Sequence, residues 1–548
     1  MNFLKKLTNE IKNSPLKKLL FPIIGLLSLI WFLIRVIPKP SRVTYPCQRA
    51  AFPIASSFII WLFGLGTSSY LMSRNKLIKN LKNKNKIIPL LCMISVLCFG
   101  LYFQNCDISG EISSAATISS GSKSNAQSSS ISSAKTIKIP IGAPKGIFPG
   151  RVVWVHDPDA TSWDGVGPAY WWEPENTSQT VVNEMVKKAV CNLTDETTDI
   201  KKAWKSIFKY YNKNHRRSDA GYTAGEKIVI KVNFVGSIAV WGNIKGDPNY
   251  PNTSPQIIHA VLEQLVKMAG VSQNNITVGD PTCKFPDEFY KYLHGDFPDV
   301  NYLCYGNELG RVKAALSSIS FHWSTPDASG KVQDYVTKAY ADAAYLINIA
   351  NLKGHFDQAG ISLCGKNHYG SLARNPSGEG GYYNLHKNLP LNNSQSRIYS
   401  PIVDLMGHKD IGGKTLIYLI DGLYACRHQA KQAGNIPVKW KTPPFNNDWT
   451  SSIFSSLDPV AIDSVGYDFL LSEWPENPGP ASPGTDNYLI EAALANDPPS
   501  GTFYNSSDKD GVVRLKSLGI YEHWNNATDK KYSGNLGKQG IELIQIKK

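Results

Sequence analysis

Three apolar stretches, Leu19 to Ile37, Phe52 to Met72 and Ile87 to Phe103, lie in the N-terminal segment Met1 to Cys106. Each approaches the roughly 20 residues that cross a bilayer core, so three transmembrane helices are expected. A cleaved signal peptide is the competing reading of the first, but no small-residue cleavage site follows it and two further stretches come after. Lys5, Lys6, Lys12, Lys17 and Lys18 precede the first stretch, and Arg74, Lys76, Lys79, Lys82, Lys84 and Lys86 follow the second. The loop Pro38 to Ala51 holds only Lys39, Arg42 and Arg49. Positive charge is retained on the cytoplasmic side, so both richer segments are expected there. An odd number of spans then places everything after Phe103 outside. The expected localisation is the cell membrane, multi-pass, with a large extracytoplasmic C-terminal domain.

The chain of 548 residues carries 58 Lys and Arg against 44 Asp and Glu, a formal charge of +14 that at first suggests a nucleic-acid binder. Fifteen of those bases and one acid, Glu10, precede Asp107, which leaves 43 of each in the remainder. The larger part is neutral overall and lacks a field to attract polyanions, so no nucleic-acid partner is expected. Asp107 to about Lys145 is dominated by Ser, Ala, Gly and Ile, too poor in large side chains to form a core, and reads as a flexible tether. The domain proper is expected over residues 146–548.

Of nine cysteines, Cys92 and Cys98 fall in the third apolar stretch, and Cys47 and Cys106 are expected near the outer face of the membrane. Cys191, Cys283, Cys304, Cys364 and Cys426 are scattered through the domain. None forms a C-x-x-C pair, which argues against an iron-sulfur cluster or a zinc knuckle, both of which need thiolates converging at short spacing. The domain cysteines read as small buried hydrophobes. Cys47 either pairs with Cys106 or packs at the interface.

From Gly150 onward, short β-branched runs alternate with helical patterns, the signature of an α/β fold: a mostly parallel sheet covered by helices. Arg151 to Val155 reads as a first strand. Thr197 to Lys213 places Ile200, Ala203, Trp204, Ile207, Phe208 and Tyr211 on one helical stripe. Four buried-looking strands then run into polar residues. Lys227 to Val232 meets Asn233, Ile276 to Gly279 meets Asp280, Tyr345 to Ile349 meets Asn351, Lys353 and His355, and Leu416 to Ile420 meets Asp421-Gly422. In an open parallel sheet the ligand crevice lies beyond the carboxyl ends of the strands, so these residues can converge on one site. The competing reading makes each of them a turn residue.

Helix starts are well marked. Ser254-Pro255 supplies an N-cap and a proline at the first helical position, ahead of Ile257, Ile258, Val261, Leu262 and Leu265 and a closing Gly270. Asp458-Pro459 does the same for Val460 to Leu470. Asp463 lies one turn into that apolar helix, where a carboxylate either faces solvent or needs a partner or ligand. Asn351-Leu352-Lys353-Gly354-His355 and Gly365-Lys366-Asn367-His368-Tyr369-Gly370 gather Lys, His and Asn among glycines. Glycine admits backbone close to a ligand, and lysine supplies a point charge for a carboxylate or phosphate. Tyr170-Trp171-Trp172 and Tyr382-Tyr383 could form a carbohydrate platform but read more simply as packing under loops. There is no G-x-S-x-G, Walker A or H-E-x-x-H motif.

These residues resemble a bacterial family known only as domain of unknown function 362. The matching pieces are Ile230 to Asn233, Thr253-Ser254-Pro255, Gly279-Asp280-Pro281, Asn351 to His355, Gly365-Lys366-Asn367, Ile420-Asp421-Gly422 and Ser456 to Asp463, in family order across about Glu226 to Leu471. Many members of the family also carry a cysteine-rich ferredoxin-like segment. This chain has none, so no iron-sulfur cofactor is expected.

The first functional expectation is an enzyme acting on a small anionic substrate. Lys231, Asp280 and Asp421 are the candidate catalytic residues, and Asn233, Lys353, His355, Lys366 and Asn367 the candidate ligand-binding ones. Asp280, Asp421 and Asp463 are candidate ligands for a divalent metal. The alternatives are a non-catalytic binding module for a cell-envelope ligand and a scaffold whose spans contact membrane partners.

Overall fold

The structure, a computed structural model, describes residues 139–548 apart from 168, 216, 238–250, 326–332, 356–359, 374–384, 386–395, 429–436, 477–478 and 508–512. They belong to one of the two units into which the chain divides, Ser130–Lys548. The three apolar stretches, Cys47, Cys92, Cys98, Cys106, Tyr382, Tyr383 and the tether up to 138 lie outside the described residues. Among the described residues, no helix is long and apolar enough to cross a membrane.

In chain order the elements are β1 (Arg151–His156), α1 (Gln179–Cys191), α2 (Ile200–Asn214), β2 (Ile228–Lys231), α3 (Pro255–Glu263), β3 (Ile276–Gly279), α4 (Asp287–Asp296), β4 (Asn301–Cys304) and β5 (Val312–Lys313). There follow α5 (Lys338–Asp342), β6 (Tyr345–Lys353), α6 (Cys364–Asn367), α7 (Pro401–Gly407), β7 (Thr415–Cys426), β8 (Ser452–Ser456), α8 (Pro459–Glu473), α9 (Asn487–Ala493) and β9 (Glu542–Lys547). The strands form one nine-stranded sheet in the order β9-β1-β8-β7-β6-β2-β3-β4-β5. Strand β8 runs antiparallel to both neighbours, and every other pairing is parallel. Two two-stranded ribbons, Ile141–Gly142 with Ile520–Tyr521 and Leu316–Phe321 with Asp334–Thr337, lie outside it.

Side chains alternate across the sheet, and both sides are apolar because both are covered. Val153, Val155, Ile230, Ile347 and Leu419 pack with Met185, Trp204, Ile257 and Phe289 from α1 to α4. Their neighbours Val152, Trp154, Val229, Leu346 and Ile420 pack with Ile402, Val465 and Leu489 from α7 to α9. The fold is thus α/β with a large mixed sheet. Ala203, Trp204, Ile207, Phe208 and Tyr211, the stripe read from the sequence, are buried on α2. Ser254 Oγ caps α3 by accepting from the amides of Gln256 and Ile257 at 3.1 and 3.4 Å. The expected helix continues past Glu263 as a wider π turn, Gln264–Met268.

Three expectations are corrected. Strand β6 runs on through Asn351 to Lys353, so these residues lie within the strand and not in a loop after it. Strand β7 likewise continues through Asp421-Gly422, which therefore forms no turn. At that point Asp421 is flanked by Asn351 on β6 and Ile453 on β8, so neighbouring strands satisfy its backbone and no reversal is needed. The tether expected up to about Lys145 cannot reach that far. Ile141–Gly142 is already paired, and the Lys145 amide donates to Asp458 Oδ2 at 2.8 Å.

That carboxylate ties several elements together. Asp458 Oδ1 accepts from the Val460 and Ala461 amides at 3.0 and 2.9 Å as the N-cap of α8, and Oδ2 also takes the Ile520 amide at 3.2 Å. Asp458→Ala should lower unfolding free energy by at least about 2 kcal/mol in urea titrations, since it removes a cap and leaves buried amides without an acceptor. A loss within about 0.5 kcal/mol, ordinary for a surface position, would show that the carboxylate is dispensable.

Candidate functional site

Four central strands run in one direction, so the ends of β2, β3 and β6 and the middle of the longer β7 lie together at one edge of the sheet. The first polar group there is Lys231, the last residue of β2 and wholly buried. Its Nζ donates to Asp280 Oδ2 at 2.9 Å, to Asn367 Oδ1 at 3.0 Å, and to the Val232 carbonyl. An ammonium has three protons, and all three are used. Asp280 is equally occupied: Oδ1 accepts from the Thr282 amide and hydroxyl at 3.1 and 2.9 Å, and the Phe234 amide reaches Oδ2 at 3.3 Å.

From Lys231 a directed chain of hydrogen bonds crosses to the next layer. Asn367 Nδ2 donates to Asn348 Oδ1 at 2.8 Å; Asn348 Nδ2 donates to the Cys364 carbonyl at 3.0 Å and meets His368 Nε2 at 3.0 Å. Burial, reinforced by the Lys231 charge, pulls His368 down to about 3, so its ring is neutral near pH 7. A neutral ring accepting at Nε2 carries its proton on Nδ1, which lies 3.1 Å from Ser371 Oγ. The lysine thus fixes the direction of every amide in the chain.

The second lysine differs. Lys353 is also wholly buried, yet its Nζ has two acceptors, Asn233 Oδ1 at 2.8 Å and the Pro251 carbonyl at 2.9 Å. Both are neutral, and among the described residues no carboxylate forms an ion pair with it. Burial pulls Lys353 down to about 8. Thr253 joins the two halves of the cluster: its Oγ1 accepts from the Asn233 amide at 2.8 Å and donates to Asn351 Oδ1 at 3.0 Å. Next to it, the Ser254 amide at the head of α3 donates to Asp421 Oδ2 at 2.7 Å, and the Leu423 amide donates to Oδ1 at 3.0 Å. Burial pushes Asp421 up to about 6 against the pull of those amides and of Lys353.

Lys231, Asp280 and Asn367 form one hydrogen-bonded group and Lys353, Asn233, Thr253 and Asn351 a second; the two adjoin where the Phe234 amide, next to Asn233, reaches Asp280, and the Ser254 amide, next to Thr253, brings in Asp421. Asp463 stands behind them. It is buried, and its oxygens accept from the Cys364 and Gly365 amides at 2.8 Å each and from the Tyr488 hydroxyl at 2.9 Å, so it holds the α6 turn from which Asn367 reaches Lys231. The partner that sequence reasoning required is a pair of peptide N–H groups. Lys366 is buried with its Nζ 5.4 Å from the centre of the Tyr369 ring. His355 is buried, and its amide donates to the Gly360 carbonyl at 2.8 Å. All three carboxylates considered as metal ligands already accept from several donors. Among the described residues, no three His, Cys, Asp or Glu side chains come together as a metal set would.

Sequence reasoning missed Asn348 and Thr282, and gave His368 and Gly370 no role beyond the glycine-rich segment that holds them. Asn348 had a readable signal, since an amide in the middle of an apolar strand has to find partners. Trp171 and Trp172 are packing residues, buried against Tyr424 and Phe289. The five domain cysteines are buried free thiols, each raised by burial.

The fold and site define a doubly covered α/β domain with a buried, lysine-centred polar cluster at its strand ends. Residues 228–468, a little under half of the chain, match the family model described as Domain of unknown function (DUF362). The match includes every residue of the cluster and leaves 469–548 outside it. No curated protein matches the chain.

Gly370 closes the cluster from above. A Cβ at this position would lie 2.6 Å from Asp280 Oδ1 and 3.0 Å from Lys231 Nζ. Gly370→Ala should therefore force the ion pair apart and lower the melting temperature by several degrees, whereas an unchanged temperature would mean that the loop yields freely.

Proposed function

We propose that the strand-end cluster is the active site of a membrane-anchored, extracytoplasmic enzyme that acts on a small anionic substrate. The observation that carries this reading is Lys353. Among the described residues this wholly buried ammonium is held by two neutral acceptors and has no ion-pair partner, so it retains one N–H that a carboxylate or phosphate oxygen would satisfy. Asp421 supports it. A carboxyl moved up to about 6 and an ammonium moved down to about 8 bracket neutral pH, which suits a proton acceptor and a proton donor in one site. Asn233 and Thr253 would orient Lys353, while Lys231, with its protons committed, would hold Asp280 and Asn367 in place. A divalent cation on Asp280 or Asp421 would have to displace the donors each already accepts from, so the reading rests on the lysine.

Calorimetry with inorganic phosphate and with acetate on the purified protein is the direct test. Lys353→Met should weaken binding roughly tenfold to hundredfold, the worth of a hydrogen bond to a charged group. Equal binding by both proteins overturns the reading.

The same residue predicts a pH dependence of stability. Below about pH 8, folded and unfolded chains both hold the proton; between about 8 and the ordinary value of 10.5 only the unfolded chain does, so wild-type stability rises with pH in that window. The gain should be about 3 kcal/mol, and Lys353→Met should lack it. Denaturant titrations at pH 7.5 and pH 10 on both proteins measure the difference, and parallel curves would place the charge elsewhere.

The membrane anchor rests on the three apolar stretches and on the eleven lysines and arginines that flank the first two on one side. A reporter fused after Lys145 should be active only as an extracytoplasmic fusion. Activity of a cytoplasmic reporter at that point would reverse the topology.

A further inference from the structure

A cavity of about 420 Å³ opens beside the C-terminal half of α8, away from the lysine cluster and largely beyond the family match. Its walls include Tyr467, Trp524 and Leu536, with Asp486 and Lys531 among the polar lining. Behind it a chain of contacts runs between two carboxylates. Asp468 Oδ1 meets His523 Nδ1, His523 Nε2 lies 2.6 Å from the Tyr521 hydroxyl, and that hydroxyl lies 3.1 Å from Asp486 Oδ2.

Tyr521 donates its hydroxyl proton to Asp486, and the His523 ring bridges the Tyr521 hydroxyl and Asp468. The other oxygen of Asp468 is occupied by the Trp524 amide at 2.9 Å and the Tyr532 hydroxyl at 2.8 Å. Glu522, also in the lining, is filled by the Ser533 and Ile541 amides and the Ser533 hydroxyl. Asp486 is the exception: its Oδ1 accepts from no donor among the described residues, and the side chain is half-buried at the cavity. Lys531 is exposed and forms no ion pair among them. The cavity therefore offers one available anionic oxygen, one available ammonium and an aromatic and aliphatic wall.

We propose that this cavity is a second ligand site, which takes a small zwitterion with an apolar side chain, an amino acid or the end of a short peptide. Its ammonium would sit on Asp486, its carboxylate on Lys531, and its side chain against Tyr467, Trp524 and Leu536. The charges of the site suit neither a simple anion nor a simple cation, because each would face one group of its own sign.

The test is calorimetry on the full chain with L-leucine, N-acetyl-L-leucine, which lacks the ammonium, and L-leucinamide, which lacks the carboxylate. Leucine should bind, and each capped form at least tenfold more weakly. Asp486→Asn keeps an acceptor for Tyr521 while removing the charge; it should weaken leucine about tenfold and leave N-acetyl-leucine unchanged. Lys531→Met, at an exposed position with no ion pair to lose, should weaken leucine and leave leucinamide unchanged. Absence of leucine binding at millimolar concentration, or capped forms that bind as well as leucine, overturns the proposal. Lys353→Met should not affect leucine binding, which separates this site from the anion site.

Discussion

A lysine ammonium taken out of water has to recover three hydrogen bonds and a counter-charge, and much of this domain is arranged around two residues that meet that demand differently. Lys231 meets it in full. One acceptor is a carboxylate from the next strand, one is an asparagine from α6, and one is its own neighbouring carbonyl. Removing any of them leaves a buried charge short of a partner, so a single side chain ties the ends of β2 and β3 to α6. Lys353 meets the demand only in part, and the shortfall gives the site its chemical character.

The covered sheet makes these arrangements affordable. With α1 to α4 packed on one side and α7 to α9 on the other, the strand ends are screened from solvent, and electrostatic effects are larger there than at a surface. That screening moves Asp421 and Lys353 toward neutrality from opposite directions. It also explains why so many supporting groups are neutral amides and hydroxyls. Asn233, Asn348, Asn367 and Thr253 can fix a lysine without adding charges that would themselves need compensation.

Much of this was legible in the sequence, for identifiable reasons. The helix caps Ser254 and Asp458 were readable because each precedes a proline and an apolar run, a local pattern. The gathering of Lys231, Asp280, Lys353 and Asp421 was readable because parallel strands leave their carboxyl ends together. What could not be read depends on contacts distant in the chain. Asp421-Gly422 looks like a turn, and only strands on both sides make it the middle of β7. Asp463 looks like a ligand in search of a metal, and only the approach of α6, about a hundred residues earlier in the chain, supplies the two amides that occupy it. His523 and Tyr521 carry no local pattern at all, since their partners lie on α8 and at the start of α9.

Helix α8 contributes a carboxylate to each of two places. Asp463 in its second turn props the loop of the lysine cluster, and Asp468, five residues further on, anchors the chain behind the cavity. Five residues amount to about 140° of rotation and about 7.5 Å of rise, so the two side chains leave the rod on nearly opposite sides at different heights. A rigid helix cannot move one without moving the other. A slide of half an ångström along its axis is as large as the tolerance of a good hydrogen bond, so α8 acts as a shared lever whose position both sites must agree on.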